Sequence, residues 1–164
     1  MTIPPLEQLP ETLRNVRARP LFNFFIQVRK PQIIGTSPDG YRRIGVIANG
    51  SFEGERLSGE VLDGGSDWQR VRPDGATTID VRLMLRTRDE ALIGMQYRGF
   101  RHGPADVIAR IDGGEVVDPS QYYMRIVPFF ETAAPQYDWL NRIVAVGIGH
   151  RNAAGALYSV FELL

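Results

Sequence analysis

The chain has 164 residues, 43% hydrophobic and 10% aromatic, with 19 basic and 19 acidic residues that leave no formal net charge. This length suffices for one domain with a core that needs no disulfide or metal staple, and the balanced charge argues against a nucleic-acid or anionic-membrane binder, which would show a basic excess. Cysteine is absent, which removes a disulfide framework, a thiol nucleophile and cysteine metal ligands together.

The first residues, Met1-Thr-Ile-Pro-Pro-Leu-Glu7, hold no basic leader before an apolar core. No apolar run nears the roughly 20 residues of a membrane span, so a cytoplasmic protein is the expectation. Residues 1–20 carry prolines at positions 4, 5, 10 and 20 and read as an arm with a turn or two of helix over 11–16; residues 21–164 are expected to form a single domain.

In residues 21–30, Phe22, Phe24, Ile26 and Val28 alternate on one face and predict a first strand. Ser37-Pro-Asp-Gly40 is a turn, because proline presets its dihedral and glycine supplies a left-handed position. Residues 41–48 then alternate Arg42, Ile44, Val46 and Ala48 against Tyr41, Arg43, Gly45 and Ile47. Gly50 is expected to break this strand before a glycine-punctuated one over 52–62, with Gly54 and Gly59 marking bulges or bends.

The stretch 61–75 packs two turns, a tryptophan, three acids and two arginines between strand-like runs. Gly64, Gly65 and Asp74-Gly75 read as turn chemistry, which leaves Asp67 and Trp68 as pocket candidates. Residues 76–88 set apolar Ile79, Val81, Leu83 and Leu85 against Asp80, Arg82, Met84 and Arg86, and residues 91–100 read as the hairpin partner. A helix is predicted over 102–113, with Pro104 at its first position and Gly113 at its stop. Residues 122–131 form a strand with Tyr123, Arg125, Val127, Phe129 and Glu131 on one face. A helical turn or loop at 133–140 precedes two closing strands, 142–150 and 157–163, around Asn152-Ala-Ala-Gly155.

About nine strands and one short helix predict an all-β fold: an antiparallel closed or nearly closed β-barrel, or a strongly curled sandwich.

Standard catalytic signatures are missing. Neither G-x-S-x-G nor a P-loop occurs, and Gly147-Ile-Gly149-His-Arg-Asn152 lacks both the third glycine and the following helix that a dinucleotide fingerprint needs. His102 and His150, the only histidines, have no partner at ligand spacing, so no metal and no cofactor are expected. The chemistry-bearing residues lie instead on strand faces. If those faces line a barrel, Asp80, Arg82, Arg125 and Glu131 share a cavity with Tyr97. Low dielectric there raises a carboxylate toward a working general acid or base, and an arginine clamps a carboxylate or enolate. The competing reading puts Asp80, Arg82, Arg86 and Arg98 in a solvated cross-strand ladder. The two readings stand even for Asp80 and Arg82, and the ladder is favoured for Arg86 and Arg98. Trp68 and Trp139 are read either as walls for an aromatic ligand or as packing.

The succession Gly64-Gly-Ser-Asp-Trp68, Arg72-Pro-Asp-Gly75, Asp80-Val-Arg82, Tyr123-Met-Arg125, Phe130-Glu-Thr132 and Tyr137-Asp-Trp-Leu-Asn141 resembles the family known as domain of unknown function 3237, from about residue 22 to residue 162. The resemblance implies a compact antiparallel β-barrel, usually standing alone, with no generally established activity. Its matching polar positions here are Asp67, Trp68, Asp80, Arg82, Arg125, Glu131, Trp139 and Asn141. Ala48-Asn49-Gly50 and the hairpin Thr87-Arg-Asp-Glu-Ala91 depart from the family's glycine pattern, which bears on loop shape.

The function expected from these residues is cofactor-free acid/base catalysis by a lyase or isomerase on a small hydrophobic metabolite, aromatic or ketone-bearing. Glu131 or Asp80 would serve as base, Tyr97 as proton donor, Arg82 or Arg125 as anion clamp, and Trp68 with Phe129 as aromatic wall. The rivals are a non-catalytic binding or carrier barrel and a module that buries a sheet face in a homo-oligomer.

Overall fold

The computed structural model describes residues 3–164; Met1 and Thr2 of the expected arm lie outside the described residues. Strands occupy the stretches in which β-branched and aromatic residues alternate with polar ones. They are β1 (Ala18–Val28), β2 (Gln32–Ser37), β3 (Gly40–Glu53), β4 (Ser58–Val61), β5 (Ser66–Val71), β6 (Thr77–Thr87), β7 (Leu92–His102), β8 (Tyr123–Glu131), β9 (Ala145–Asn152) and β10 (Gly155–Leu163). Eight of them close an antiparallel barrel in the order β1-β10-β9-β8-β7-β6-β4-β3, because β1 pairs with both β10 and β3. β5 runs in line with β4 between β3 and β6, so the two short strands act as one interrupted wall strand. β2 pairs with β3 outside the circuit.

The predicted barrel is the observed fold, with ten strands where alternation gives about nine. β2 and β5 fall in none of the stretches read as strands, and both have physical reasons to be silent. In β2 both Ile33 and Ile34 are exposed, so no contrast between faces marks the strand. In β5 the inward positions carry Asp67 and Gln69, and a polar interior face hides the strand from a hydrophobic pattern. The break expected at Gly50 does not occur. β3 runs through it, and a Cβ there would lie 2.1 Å from the Phe25 carbonyl oxygen, so the glycine permits close approach inside a continuous strand.

Pro20, expected in the arm, lies in β1 beside the register shift between Pro20 and Phe22, where a missing N–H is tolerated. Helix α1 (Glu11–Arg14) is a single turn, and α2 (Ala105–Asp112) begins one residue later than expected. Pro104 has an extended ψ of 140° and so caps the helix instead of entering it.

Inward-facing rings fill the barrel. Phe24 and Tyr158 stack with centroids 4.8 Å apart, Tyr97 stands 5.6 Å from Tyr158, and Phe22 reaches Phe52 and Phe130 at 5.6 and 5.9 Å. One end is covered by the 3-10 turn Pro135–Arg142, which buries Leu140 and places the Trp139 ring 3.9 Å under the Arg56 guanidinium. Arg56 and Arg19 both donate to the buried Glu162 there. The opposite end lies under α2, which buries Val107 and Ile111, and here the interior turns polar. The shortest pairing in the circuit joins β8 to β9 through Arg125 with Ile148 and Ile126 with Gly147 alone. Beyond that ladder the Tyr122 hydroxyl accepts a bond from the Arg151 amide at 2.8 Å. Among the described residues no helix is long and apolar enough to cross a membrane.

Candidate functional site

The polar end of the barrel is built on β5. Gly64 and Gly75 flank the strand at φ 98° and 82°, left-handed positions that glycine adopts without strain, and the intervening alternation turns Asp67 and Gln69 inward and Trp68 outward. Asp67 is 7% exposed. Its Oδ2 accepts from Gln69 Nε2 at 2.5 Å and its Oδ1 from the Asp80 amide at 3.3 Å. Gln69 Oε1 in turn accepts from Arg43 Nε at 2.7 Å. Asp112, at the end of α2, takes Arg101 Nη2 at 2.7 Å and faces Arg43 Nη2 at 3.6 Å. A polar chain thus runs from the helix end to the buried carboxyl.

Burial dominates the acidity of Asp67 and pushes it from its ordinary 3.8 up to about 6; the Gln69 and Asp80 bonds, and the Arg43 and Arg101 charges, pull the other way. The Tyr97 and Tyr158 phenols are raised, first by burial and then by neighbours that include the Asp67 charge. Arg151 is lowered by burial and by repulsion from Arg101 and Arg43. Among the described residues Tyr97 Oη and Arg151 Nη1 are buried without a hydrogen-bond partner, although the Tyr158 phenol adjoins Tyr97. A cavity of about 300 Å³ opens among Arg43, Asp67, Gln69, Arg101, Arg151 and Tyr158. That is the small end of the range for small-molecule sites.

The residues singled out from sequence fall into two groups. Asp67 and Tyr97 point into the barrel interior. Asp80, Arg82, Arg125 and Glu131 share no cavity inside the barrel, because strand alternation turns all four to the outer wall while Val81, Tyr97, Ile126 and Phe130 take the inside; Asp80 and Arg82 instead line an outer groove with Tyr97 and Phe129. Asp80 faces Arg98 at 3.6 Å and Arg86 pairs with Glu60, the cross-strand arrangement of the solvated reading. Arg125 lies over the Tyr123 ring at 4.9 Å and donates to the Met124 carbonyl at 2.9 Å.

Trp68 is 46% exposed and donates to Ser66 Oγ; Phe129 is also exposed. Trp139 belongs to the far end cap, and Asn141 holds the Thr132 backbone by two bonds of 2.9 Å. An open groove of about 890 Å³ does run along the outer wall past Trp68, Phe100 and Arg125. It is larger than the interior cavity, yet its carboxylate, Asp80, is half exposed beside Arg98, whereas Asp67 is buried.

Sequence reasoning passed over Arg43, Gln69, Arg101, Asp112, Arg151 and Tyr158. A signal existed for three of them. Arg101 ends the inward row Ile93, Met95, Tyr97, Gly99; Arg151 ends Ala145, Gly147, Gly149; Arg43 opens Gly45, Ile47. A cation at the end of an apolar row marks a polar barrel mouth.

The same frame is found in other proteins. The sequence model of the family described as "Protein of unknown function (DUF3237)" matches residues 16–163. The chain belongs to this family. A solved relative, described as a beta-barrel like protein from Acinetobacter baumannii, is 40% identical, with 92% of this chain and 97% of that one covered and a TM-score of 0.81. A conserved protein of unknown function from Rhodopseudomonas palustris is 31% identical over 92% and 99% of the two chains, with a TM-score of 0.89. A structure described as an enzyme from Penicillium herquei covers 91% and 95% at a TM-score of 0.69 but is 18% identical, a likeness of fold alone. The family as such carries no established activity.

Proposed function

We propose that the chain is a cofactor-independent acid/base catalyst, a lyase or isomerase, that takes a small aromatic or ketone-bearing metabolite into the cavity under α2. Asp67 is the proton-accepting group, the Tyr158 and Tyr97 phenols are the donors, and the guanidinium groups around them stabilise negative charge that develops on the substrate. The observation that carries this reading is the Asp67 carboxyl, buried and pushed up to about 6 at the wall of a cavity that the Tyr158 phenol also lines, with Tyr97 packed behind Tyr158. A carboxylate of that basicity exchanges protons near neutral pH, and its buried surroundings strengthen every charge interaction in the site. Proton abstraction beside a carbonyl, followed by reprotonation or loss of a leaving group, needs no chemistry beyond these groups.

The test is exchange of substrate C–H for deuterium in D2O, followed by NMR over a panel of aromatic and ketone-bearing metabolites. Exchange by the wild-type protein that disappears in a folded Asp67→Asn variant supports the assignment. Equal exchange in both proteins overturns it, and tight binding of a panel member with no exchange or turnover supports the carrier barrel instead.

A further inference from the structure

The charges around the cavity do not balance. Arg43, Arg101 and Arg151 converge on it from β3, β7 and β9, and the carboxyls facing them are Asp67 on β5 and Asp112 on α2. Asp112 Oδ1 is shared by Arg101 and Arg43, and Asp67 accepts from an amide side chain and a backbone N–H, not from a guanidinium. Among the described residues Arg151 has no carboxylate within ion-pair distance. Its Nη1 is buried and makes no hydrogen bond, while its backbone amide is anchored by the Tyr122 hydroxyl. A desolvated donor on a charged group without a partner is costly, and an anionic ligand in the cavity would supply the missing charge. The surroundings suit a flat organic ligand, since Ile26, Met124, Ala156 and the Tyr158 ring form the apolar part of the wall.

We infer that the cavity selects ligands that carry a carboxylate, seated against the Arg151 guanidinium, with a flat aromatic body against Tyr158 and Met124. A carboxylate offers two in-plane acceptors to a planar donor fork, the geometry that a guanidinium recognises best. The ligand then completes the count of charges, and the substrate of the proposed reaction is a carboxylic acid whose reactive carbon lies toward Asp67. This inference rests on the cavity under α2 being the ligand site, but it concerns affinity and is read without turnover.

The experiment compares matched pairs, benzoate with benzamide and 4-hydroxyphenylacetate with its amide, by calorimetric titration of the full chain. Wild-type protein is expected to bind a carboxylate roughly tenfold or more tighter than its amide. Arg151→Met removes that preference and leaves amide affinity within about twofold, whereas Arg151→Lys, which keeps the charge without the fork, retains part of it. Carboxylate affinity falls as salt rises and amide affinity does not. If Arg151→Met fails to fold, the salt dependence and the acid-to-amide ratio of the wild-type protein decide alone. Equal affinity for acid and amide, an unchanged preference in folded Arg151→Met, or no binding of any carboxylate overturns the inference. An Asp67→Asn variant that keeps carboxylate binding while losing exchange supports both readings separately, and one that keeps both sinks the catalytic reading alone.

Discussion

Gln69 stands between Asp67 and Arg43: its Nε2 donates to the carboxyl at 2.5 Å while its Oε1 accepts from Arg43 Nε at 2.7 Å. An amide in this place bonds to the carboxylate without neutralising it, so burial stays the larger influence and the group remains near 6. Replacing Gln69 by Leu removes the foremost of the effects that pull the value down. We expect the Asp67 carboxyl to titrate above 6 in Gln69→Leu, as read by carboxyl-carbon NMR.

The stability of the protein should record the same shift. Asp67 binds its proton more tightly when folded, about 6 against an ordinary 3.8, so between these values the native state holds more protons than the unfolded chain. Stability therefore falls as pH rises through this window, and the full penalty is present above 6. Asp67→Asn, which mimics the protonated group, is expected to be more stable than wild type at pH 8 by an amount on the order of 2–3 kcal/mol. The gap closes as pH falls below about 4. Urea denaturation at pH 4, 6 and 8 measures it; a gap that widens toward acid pH contradicts the account.

Arg56 joins two elements at the far end of the barrel, pairing with Glu162 and covering the Trp139 ring. Arg56→Ala should cost about 1–2 kcal/mol, and Arg56→Lys a good part of that, because an ammonium does not reproduce a stacked, forked donor. Thermal unfolding of both variants reads the difference, and neither change should alter ligand binding under α2.

Two glycines of β7 give a direct check on the tightness of the wall. A Cβ at Gly99 would lie 2.0 Å from the Arg125 carbonyl oxygen, whereas at Gly94 the nearest atom is the Glu131 carbonyl oxygen at 3.6 Å. Gly99→Ala is expected to destabilise by more than about 3 kcal/mol or to prevent folding, and Gly94→Ala to stay within about 0.5 kcal/mol of wild type.

The outer wall provides the negative control for the site. Asp80 and Arg98 are 46% and 81% exposed and stand 3.6 Å apart. Asp80→Asn and Arg98→Ala should each shift stability by less than about 0.5 kcal/mol and leave exchange activity unchanged. Loss of activity in Asp80→Asn with the fold intact would return catalysis to the outer groove.

Alternation alone makes most of the barrel legible. The rows Ile79 to Leu85 and Ile93 to Tyr97 identify both a strand and its inward face, and the turn residues around Gly64 and Gly75 bracket β5. The site was harder to read because two signals conflict there. Charged residues on polar rows, such as Asp80 and Arg125, attract attention as chemistry, yet a polar row is what a barrel turns to solvent. Arg101 and Arg151 sit on apolar rows and look like the ends of core strands, although breaking an apolar row with a cation is the rarer event. Asp67 was recoverable because the turns on either side isolate it. Asp112 was not, since nothing local in α2 links it to β3 and β7, and only closure of the barrel brings them together.

The short β8–β9 ladder bears on how the molecule breathes. With two residue pairs holding one side of the cylinder and a tyrosine hydroxyl securing the Arg151 amide beyond them, this is the seam with the fewest backbone bonds to break. Amide protons flanking it should be the first of the wall to exchange with solvent, well ahead of those in the long β6–β7 hairpin. Because Arg151 lies just beyond the seam on β9, opening it also loosens the cation that faces the cavity.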